Sequence, residues 1–152
     1  QKIGMSRAPK YISVKDVDQQ IFVQSLALFL KKSGKIKLPD FTDIIKLSRG
    51  NEQAPMNQDW FYVRCASILR RLYSRPMGMN AFSKVYGRKK DNGCSPSHFV
   101  KANRNAIRKC LQQLEAMGLV VKHDQGGRML TGEGRRDLDR IAYQIKSNKT
   151  KA

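Results

Sequence analysis

The sequence predicts a mostly α-helical fold, on the basis of two patterns. Four segments carry apolar residues three and four positions apart, the spacing that places them on one face of a helix. Before the last segment, two short apolar runs flank a glycine-containing turn, which is typical of a β-hairpin. With 152 residues, of which 40% are apolar, the chain can bury one core. We expect a single domain over residues 13–147, a flexible N-terminal extension over residues 1–12 and a flexible tail over residues 148–152.

The first predicted helix covers residues 13–32, where the apolar residues recur at helical spacing. Ser13 and Asp16 have the pattern of a capping box at its start. Gly34, which follows two lysines closely, supplies the expected stop, because glycine readily adopts the left-handed conformation that ends many helices.

The middle of the chain alternates between helical segments and loops. Residues 39–45 are expected to make two helical turns, and residues 48–58 are expected to form a loop. Asp59 can cap a strong helix that runs to about Tyr73. A short helix is predicted at residues 81–86.

The last third of the chain predicts a helix, a hairpin and a second helix. The first helix covers residues 104–117, and the hairpin pairs residues 119–121 with residues 128–130 across a turn at residues 124–127. Thr131 is the expected cap of the final helix. A helical bundle that continues as helix, hairpin and helix has the layout of a winged-helix-like fold, in which the C-terminal hairpin is the wing.

The charge balance is the strongest indication of function. The chain has 30 Lys and Arg residues against 12 Asp and Glu residues, which gives a formal net charge of +18. A compact body with this charge repels itself, and a polyanionic partner relieves the repulsion. Nucleic acid is the expected partner, because each phosphate neutralised by Lys or Arg releases counterions. An anionic membrane is the rival partner. No apolar run approaches the roughly 20 residues of a membrane-spanning helix, and the leading prediction includes no membrane partner.

Helical geometry places the first candidate RNA-binding residues on the helix that follows Asp59. Trp60, Arg64 and Arg71 share one stripe, and Arg70 lies beside it, away from the apolar face. Guanidinium groups can fork onto phosphates, and an exposed indole can stack on a base. The alternative is that Trp60 plugs the core where the helix begins and that the arginines are solvated.

Two further candidate surfaces come later in the chain. On and before the helix at residues 104–117, outward-facing cations can lie across a phosphate backbone, unless they are only a solvated surface: Lys101, Arg104, Arg108 and Lys109. Residues 87–97, GRKKDNGCSPS, are predicted to be a basic loop that is mobile unless RNA holds it. Its candidate RNA contacts are Arg88, Lys89 and Lys90, although any surface loop can carry three cations.

Patterns of a catalytic or metal site are absent from the sequence. The three cysteines and two histidines do not form paired ligands at zinc spacing, and the odd number of scattered cysteines indicates reduced thiols in an intracellular protein. No phosphate-binding glycine motif and no nucleophile elbow occurs. We therefore predict no catalytic residues, no metal, no cofactor and no small-molecule substrate.

Long ordered segments of the chain resemble a known family. The chain resembles protein nineteen of the small ribosomal subunit in eukaryotes and archaea, which is unrelated to the bacterial protein with that number. Four segments carry the resemblance: SVKDVDQQIFVQSLALFLKKSGKIKLP, DWFYVRCASILRRLY, SPSHFVKANRNAIRKCLQQLEAMGLV and GGRMLTGEGRRDLDRIA. The resemblance covers about residues 13–146. Ile68, Arg71 and the link at residues 76–79 depart from the family's usual residues.

The resemblance implies a structural role without catalysis. Members of this family are winged-helix-like proteins of the small-subunit head, which bind its ribosomal RNA and are needed to mature that RNA. It also implies neighbouring head proteins and, transiently, assembly factors as partners, with cytoplasmic ribosomes and the nucleolus as locations. The family's main RNA-facing residues correspond here to Trp60, Arg64, Arg70, Arg108 and Lys109.

Two other classes of protein share parts of these patterns. A winged-helix DNA-binding regulator has the same fold and charge, but it usually binds as a dimer, and no helix with dimer-forming heptads is visible. A protein-interaction adaptor would bind almost independently of salt, which the charge of +18 argues against. The leading prediction is a structural ribosomal protein that docks onto folded RNA.

Overall fold

A computed structural model describes residues 11–151, with side-chain surroundings up to residue 148. The chain forms helices and strands in the order α1 (Gln19–Ser33), α2 (Trp60–Ser74), α3 (Met79–Val85), β1 (Arg88–Asn92), β2 (Ser95–Val100), α4 (Arg104–Ala116), β3 (Val120–Lys122), β4 (Arg128–Leu130) and α5 (Gly132–Lys151), with a 3-10 turn at Val14–Asp16 before them. The prediction of a mostly α, winged-helix-like fold is confirmed. The β3–β4 hairpin between α4 and α5 is the predicted wing.

The chain enters the fold through a 3-10 turn, and not through one long helix as predicted. The predicted capping box forms, since Asp16 accepts hydrogen bonds from the backbone N–H of Ser13 at 2.8 Å and from its hydroxyl at 2.9 Å, but it caps the 3-10 turn. Asp18 accepts from two backbone N–H groups in the first turn of α1 and so starts the helix there. Its short carboxylate offers those N–H groups a partner outside the helix. The predicted stop at Gly34 is confirmed, with φ of 64°.

The structure departs from the predicted domain boundaries at both ends of the described residues. Ile12, which the prediction assigned to the flexible extension, is 9% exposed and belongs to the core. At the other end, α5 continues to Lys151 and therefore includes most of the predicted tail. Residues 1–10 and residue 152, the remainder of the predicted extension and tail, lie outside the described residues.

Residues 39–45 form hydrogen-bonded turns instead of the predicted helical turns. The N–H of Thr42 donates to the Pro39 carbonyl at 3.1 Å, and the N–H of Ile45 donates to the Phe41 carbonyl at 3.2 Å. The Thr42 carbonyl accepts the indole N–H of Trp60 at 3.0 Å. The Thr42 carbonyl is therefore occupied by a tertiary hydrogen bond, whereas in a continuous helix it would accept a backbone N–H.

The predicted basic loop at residues 87–97 is wrong, because β1 and β2 form an antiparallel hairpin. Lys89 lies opposite Phe99 in its register. The two turn residues are Gly93 and Cys94, and the φ of Gly93 is 67°, the left-handed conformation that glycine supplies at the first position of a two-residue hairpin turn. Most of the strand residues are exposed and polar. The apolar alternation that identifies a strand in a sequence is therefore missing.

The core lies where α1 packs against α2 and α5, and where α2 packs against α4. Its fully buried side chains include Phe22, Phe61 and Leu111. The wing joins this body through the link between α2 and α3, where Met77 and Arg128 exchange two backbone hydrogen bonds of 3.0 Å. The wing is therefore held on two sides, by this link and by α4.

Candidate nucleic-acid interface

Trp60 belongs to the core, so the prediction of an exposed, RNA-stacking indole is wrong. The residue is 7% exposed, its Nε1 donates to the Thr42 carbonyl, and its ring meets that of Phe61 edge-on with centroids 5.6 Å apart. The structure shows the alternative arrangement, in which the indole plugs the core where α2 begins. Asp59, the predicted cap, makes no cap bond with its side chain and pairs instead with Lys31 at 2.7 Å.

Arg64 on α2 is partly buried and stacks on an aromatic ring. Its guanidinium carbon lies 4.0 Å from the ring centroid of Tyr86, the residue after α3, and the Tyr86 hydroxyl is 2.8 Å from the Ser67 Oγ. Burial lowers the pKa of Arg64 and raises the pKa of Tyr86. An arginine nevertheless stays charged at neutral pH. Arg64 therefore fastens α2 to the end of α3, and only part of its side chain is accessible to a ligand.

Arg70 and Arg71 line a groove between α1 and α2. Arg71 is exposed and Arg70 is partly buried. The Nε of Arg70 is a buried atom without a hydrogen-bond partner among the described residues, and an unsatisfied donor of this kind carries a free-energy cost. The groove is completed by Gln19, Gln20, Val23, Gln24, Val63 and Ser67.

Arg104 and Arg108 are exposed on α4 and line a second groove. Arg128 of the wing lies in the same groove, but its guanidinium pairs with the Glu115 carboxylate at 3.3 Å and its side chain is 18% exposed. Lys109 is exposed on α4, outside the lining of this groove. Two free arginines and one paired arginine therefore face a common space beside the wing.

The remaining predicted cations lie around two depressions that share two residues. Lys101 lines one depression, and the basic residues of β1 line the other: Arg88, Lys89 and Lys90. Lys46 and Arg49 line both depressions. These two residues were missed in the sequence, because they lie in a loop with no periodic pattern and only the tertiary fold brings them beside Lys101 and β1.

The predicted cations have no acidic partners in the part of the chain that the structure describes. The four ion pairs found there join Lys31 with Asp59, both Lys122 and Arg128 with Glu115, and Arg140 with Asp137. None of them includes a predicted RNA-binding cation from α2, β1, Lys101 or α4. Charged donors without an internal acceptor are suited to phosphate oxygens, which form strong charge-assisted hydrogen bonds with them.

The described residues show no other cluster with obvious chemistry. No group of three or more His, Cys, Asp or Glu residues among them is placed to hold a metal ion. Cys65 and Cys110 are free and buried, and Cys94 is free and exposed. Burial raises the pKa of the Cys65 thiol well above its ordinary value, so this thiol stays protonated and unreactive. Within the same residues, no helix has the length and apolar character needed to cross a membrane.

The fold and its grooves define a class: a small, strongly basic, winged-helix-like protein whose surface carries unpaired cations. The model of the family described as ribosomal protein S19e matches residues 13–148. The chain belongs to this family, and it is a structural ribosomal protein and not an enzyme. The resemblance found in the sequence over residues 13–146 is thereby confirmed.

Three similar relatives cover most of the chain. Small ribosomal subunit protein eS19A of Drosophila melanogaster is 55% identical over 135 residues, which are 88% of this chain and 86% of the relative. Protein eS19G of Ascaris suum is 55% identical over 141 residues, 91% of this chain and 95% of the relative. Protein eS19 of Argopecten irradians is 54% identical over 142 residues, 93% and 98% of the two chains.

Proposed function

We propose that this protein is a structural constituent of the head of the small ribosomal subunit, where it binds ribosomal RNA and is required for the maturation of that RNA and for subunit assembly. Its places in the cell are then cytoplasmic ribosomes and, in a eukaryote, the nucleolus during assembly. The names of its relatives support the small subunit as the location, since all three are called small-subunit proteins.

The observation that carries RNA binding is the set of unpaired cations, eight of which line the grooves and depressions. Ten predicted cations on α2, β1, α4 and at Lys101 take part in no ion pair among the described residues, while the whole chain has a net charge of +18. Folded RNA presents closely spaced phosphates on a defined shape, which several separate grooves can contact at once. Trp60 is left out of this RNA-binding set because it is buried.

Exposed apolar residues support contact with neighbouring proteins of the subunit head and, during assembly, with transient factors. Leu28 and Phe29 follow each other on α1 and are 59% and 49% exposed. Apolar surface of this kind, beside polar residues, is a common feature of protein interfaces. We therefore assign protein contacts to this part of α1 and RNA contacts to the cation-lined grooves.

Sedimentation of a cell extract on sucrose gradients tests the proposal, with the chain followed by mass spectrometry at physiological and at high salt. We expect it in small subunits, their precursors and whole ribosomes, and we expect it to stay there at moderate salt. Migration at the top of the gradient under both conditions would contradict the proposal and favour a winged-helix DNA-binding regulator. Depletion of the chain should also cause precursors of the small-subunit RNA to accumulate.

A further inference from the structure

We propose that the loop at residues 46–52 lies at the centre of a separate RNA-binding surface, which holds the phosphate backbone of ribosomal RNA and does not read its bases. This inference rests on the proposed function and names the part of the RNA that this surface receives. The surface, which we call the phosphate track, consists of two adjoining depressions and the loop between them. Its central residues are Lys46 and Arg49, neither of which was among the residues predicted from the sequence.

The two depressions of the phosphate track meet at the loop. Lys46 and Arg49 line both of them, and both residues are exposed. Among the described residues, the lining of the depression on the α4 side includes no acidic residue: Lys46, Ser48, Arg49, Lys101, Ala102 and Asn103. The charged lining of the depression on the β1 side has five basic and two acidic residues: Lys46, Arg49, Arg88, Lys89 and Lys90, with Glu52 and Asp91. A basic surface therefore runs from β1 across the loop to the start of α4.

The six basic residues of the track take part in no ion pair within the part of the chain that the structure describes. Unpaired Lys and Arg side chains form strong charge-assisted hydrogen bonds with phosphate oxygens. Their excess over the two acidic residues favours a polyanion over a neutral partner. Because the six residues come from three segments of the chain, their donors are spread along a surface. This spread suits a chain of phosphates better than a single anion.

The loop is fixed to the segment that connects β2 to α4. Ser48 is 3% exposed, and its Oγ accepts the N–H of Gly50 at 3.1 Å and donates to the Lys101 carbonyl at 3.4 Å. The N–H of Asn103 donates to the Leu47 carbonyl at 2.8 Å. The backbone between Lys46 and Arg49 is therefore ordered before RNA binds, which lowers the entropy cost of binding.

The loop and the hairpin also touch each other directly. The Cγ of Arg88 lies 3.0 Å from the point where Gly50 would carry a Cβ, so the stem of this arginine packs on the loop backbone. Arg88 and Lys90 are two positions apart in the strand register, so both side chains project from the same face of the hairpin. That face therefore meets the loop and places its two cations in one depression with Lys46 and Arg49.

The lining of the track favours the RNA backbone over the bases. Within the described residues, neither depression is lined by an aromatic side chain. The exposed ring of Phe99 lies opposite Lys89 in the strand register, and therefore on the other face of the hairpin from Arg88. Bases of single strands stack on such rings, whereas phosphate contacts position a protein on RNA without reading its sequence. The track therefore suits the backbone of folded RNA, whether or not its bases are paired.

The test measures binding of the full chain at several salt concentrations to two probes, an oligoadenylate of about ten nucleotides and a fully paired RNA duplex. The test variant is Lys46→Ala with Arg49→Ala. The matched control, Lys32→Ala with Arg136→Ala, removes the same two types of residue. Both control residues are exposed, form no ion pair among the described residues and lie outside the lining of the track. Thermal melting of each variant checks that it folds.

The test variant should lower the log–log salt slope by about 1.4 on oligoadenylate and by about 1.8 on the duplex, because each phosphate contact contributes about 0.7 on a single strand and about 0.9 on a double helix. The control should lower either slope by less than about 0.5, since its residues make no phosphate contact. Glu52→Gln should tighten binding to both probes, because it removes a carboxylate that repels phosphates. In sucrose gradients of cell extracts, the test variant should leave small subunits at a lower salt concentration than the control.

Unchanged slopes on both probes would overturn the phosphate track, and so would an equal fall in the control. A fall on oligoadenylate alone would overturn it as well, because it would show that the loop contacts unpaired bases. Early release from subunits with unchanged slopes would assign the loop to a neighbouring protein, which also contradicts the proposal. The proposed function fails by a different result, namely absence of the wild-type chain from small subunits in the sucrose gradient. The two failures are therefore distinguishable.

Discussion

The guanidinium of Arg64 lies 4.0 Å above the ring of Tyr86, and this contact joins α2 to the end of α3. Tyr86 immediately precedes Gly87 and the β1–β2 hairpin. A side chain that helical spacing places on an outward stripe therefore supports the base of the hairpin that carries the predicted RNA-binding cations Arg88, Lys89 and Lys90. Replacing it should affect folding as well as binding, unlike replacement of the exposed arginines.

Arg64→Ala should lower the free energy of unfolding by about 1–2 kcal/mol, because it removes a partly desolvated cation–π contact. Arg71→Ala, on the same stripe but exposed, should change it by less than about 0.5 kcal/mol. Urea denaturation of the two variants measures both values. If the two variants are equally stable, the stacking on Tyr86 contributes nothing.

Arg71→Ala combined with Arg108→Ala should weaken RNA binding without unfolding the protein, because both side chains are exposed and form no ion pair among the described residues. The log–log salt slope should fall by about 1.4 to 1.8 for two lost phosphate contacts. The matched control removes two other exposed arginines that form no ion pair among the described residues, Arg75→Ala with Arg136→Ala. An equal fall in the control would show that net charge alone governs binding.

Trp60→Phe should destabilise the protein and leave the salt dependence of RNA binding unchanged. The substitution removes the indole N–H and leaves the Thr42 carbonyl without this partner, at a cost of about 1–3 kcal/mol. Urea denaturation and RNA titration at several salt concentrations measure the two effects. A weaker RNA affinity at unchanged stability would restore Trp60 to the RNA-binding surface.

Leu111→Ala should lower the free energy of unfolding by about 2–5 kcal/mol, because it opens a cavity at a fully buried position of α4. Leu28→Ala is the control, because that side chain on α1 is 59% exposed. It should cost less than about 1 kcal/mol. Similar losses at the two positions would be inconsistent with the packing of α4 against α2.

The protein should lose stability as the pH rises above about 9, in part because of Cys65. Burial raises the pKa of this thiol in the folded protein well above its ordinary value of 9.0. In the unfolded chain this thiol ionises at a lower pH than in the folded protein. The thiol's contribution to the free energy of unfolding is therefore fully present below its unfolded-state pKa and is lost as the pH rises from there towards its raised folded-state pKa. Tyr86, whose pKa burial also raises from 10.0, adds to the loss at higher pH.

Urea denaturation of the wild type and of Cys65→Ala between about pH 8 and pH 10 measures this effect. The loss per pH unit should be smaller in the variant, by at most about 1.4 kcal/mol for one proton. Parallel pH dependences in the two proteins would show that the Cys65 thiol is not responsible.

The helices could be predicted from the sequence because their signals are local. Apolar spacing located α2, α4 and α5, and the predicted stop at Gly34 has a φ of 64°. The wing was predicted for the same reason, from two short apolar runs and a glycine-rich turn. These features depend on residues a few positions apart, so they are visible in one sequence.

Other features depend on contacts between distant residues. Most positions of the β1–β2 hairpin carry polar residues, and its Phe99 is exposed. Its sequence therefore shows no alternation of apolar and polar residues that would identify the strands. Helical spacing showed that Trp60 and Arg64 share a stripe, but not that residues 39–45 and Tyr86 cover them.

The sequence by itself determined the helical elements, the wing and the family, and its charge of +18 predicted a polyanionic partner. Only the tertiary structure decided which cations are exposed, and only it placed Lys46 and Arg49 beside β1. The physical reason is that the formation and the ends of helices are set by residues close together in the chain, whereas the exposure of a side chain is set by what packs on it from elsewhere in the fold.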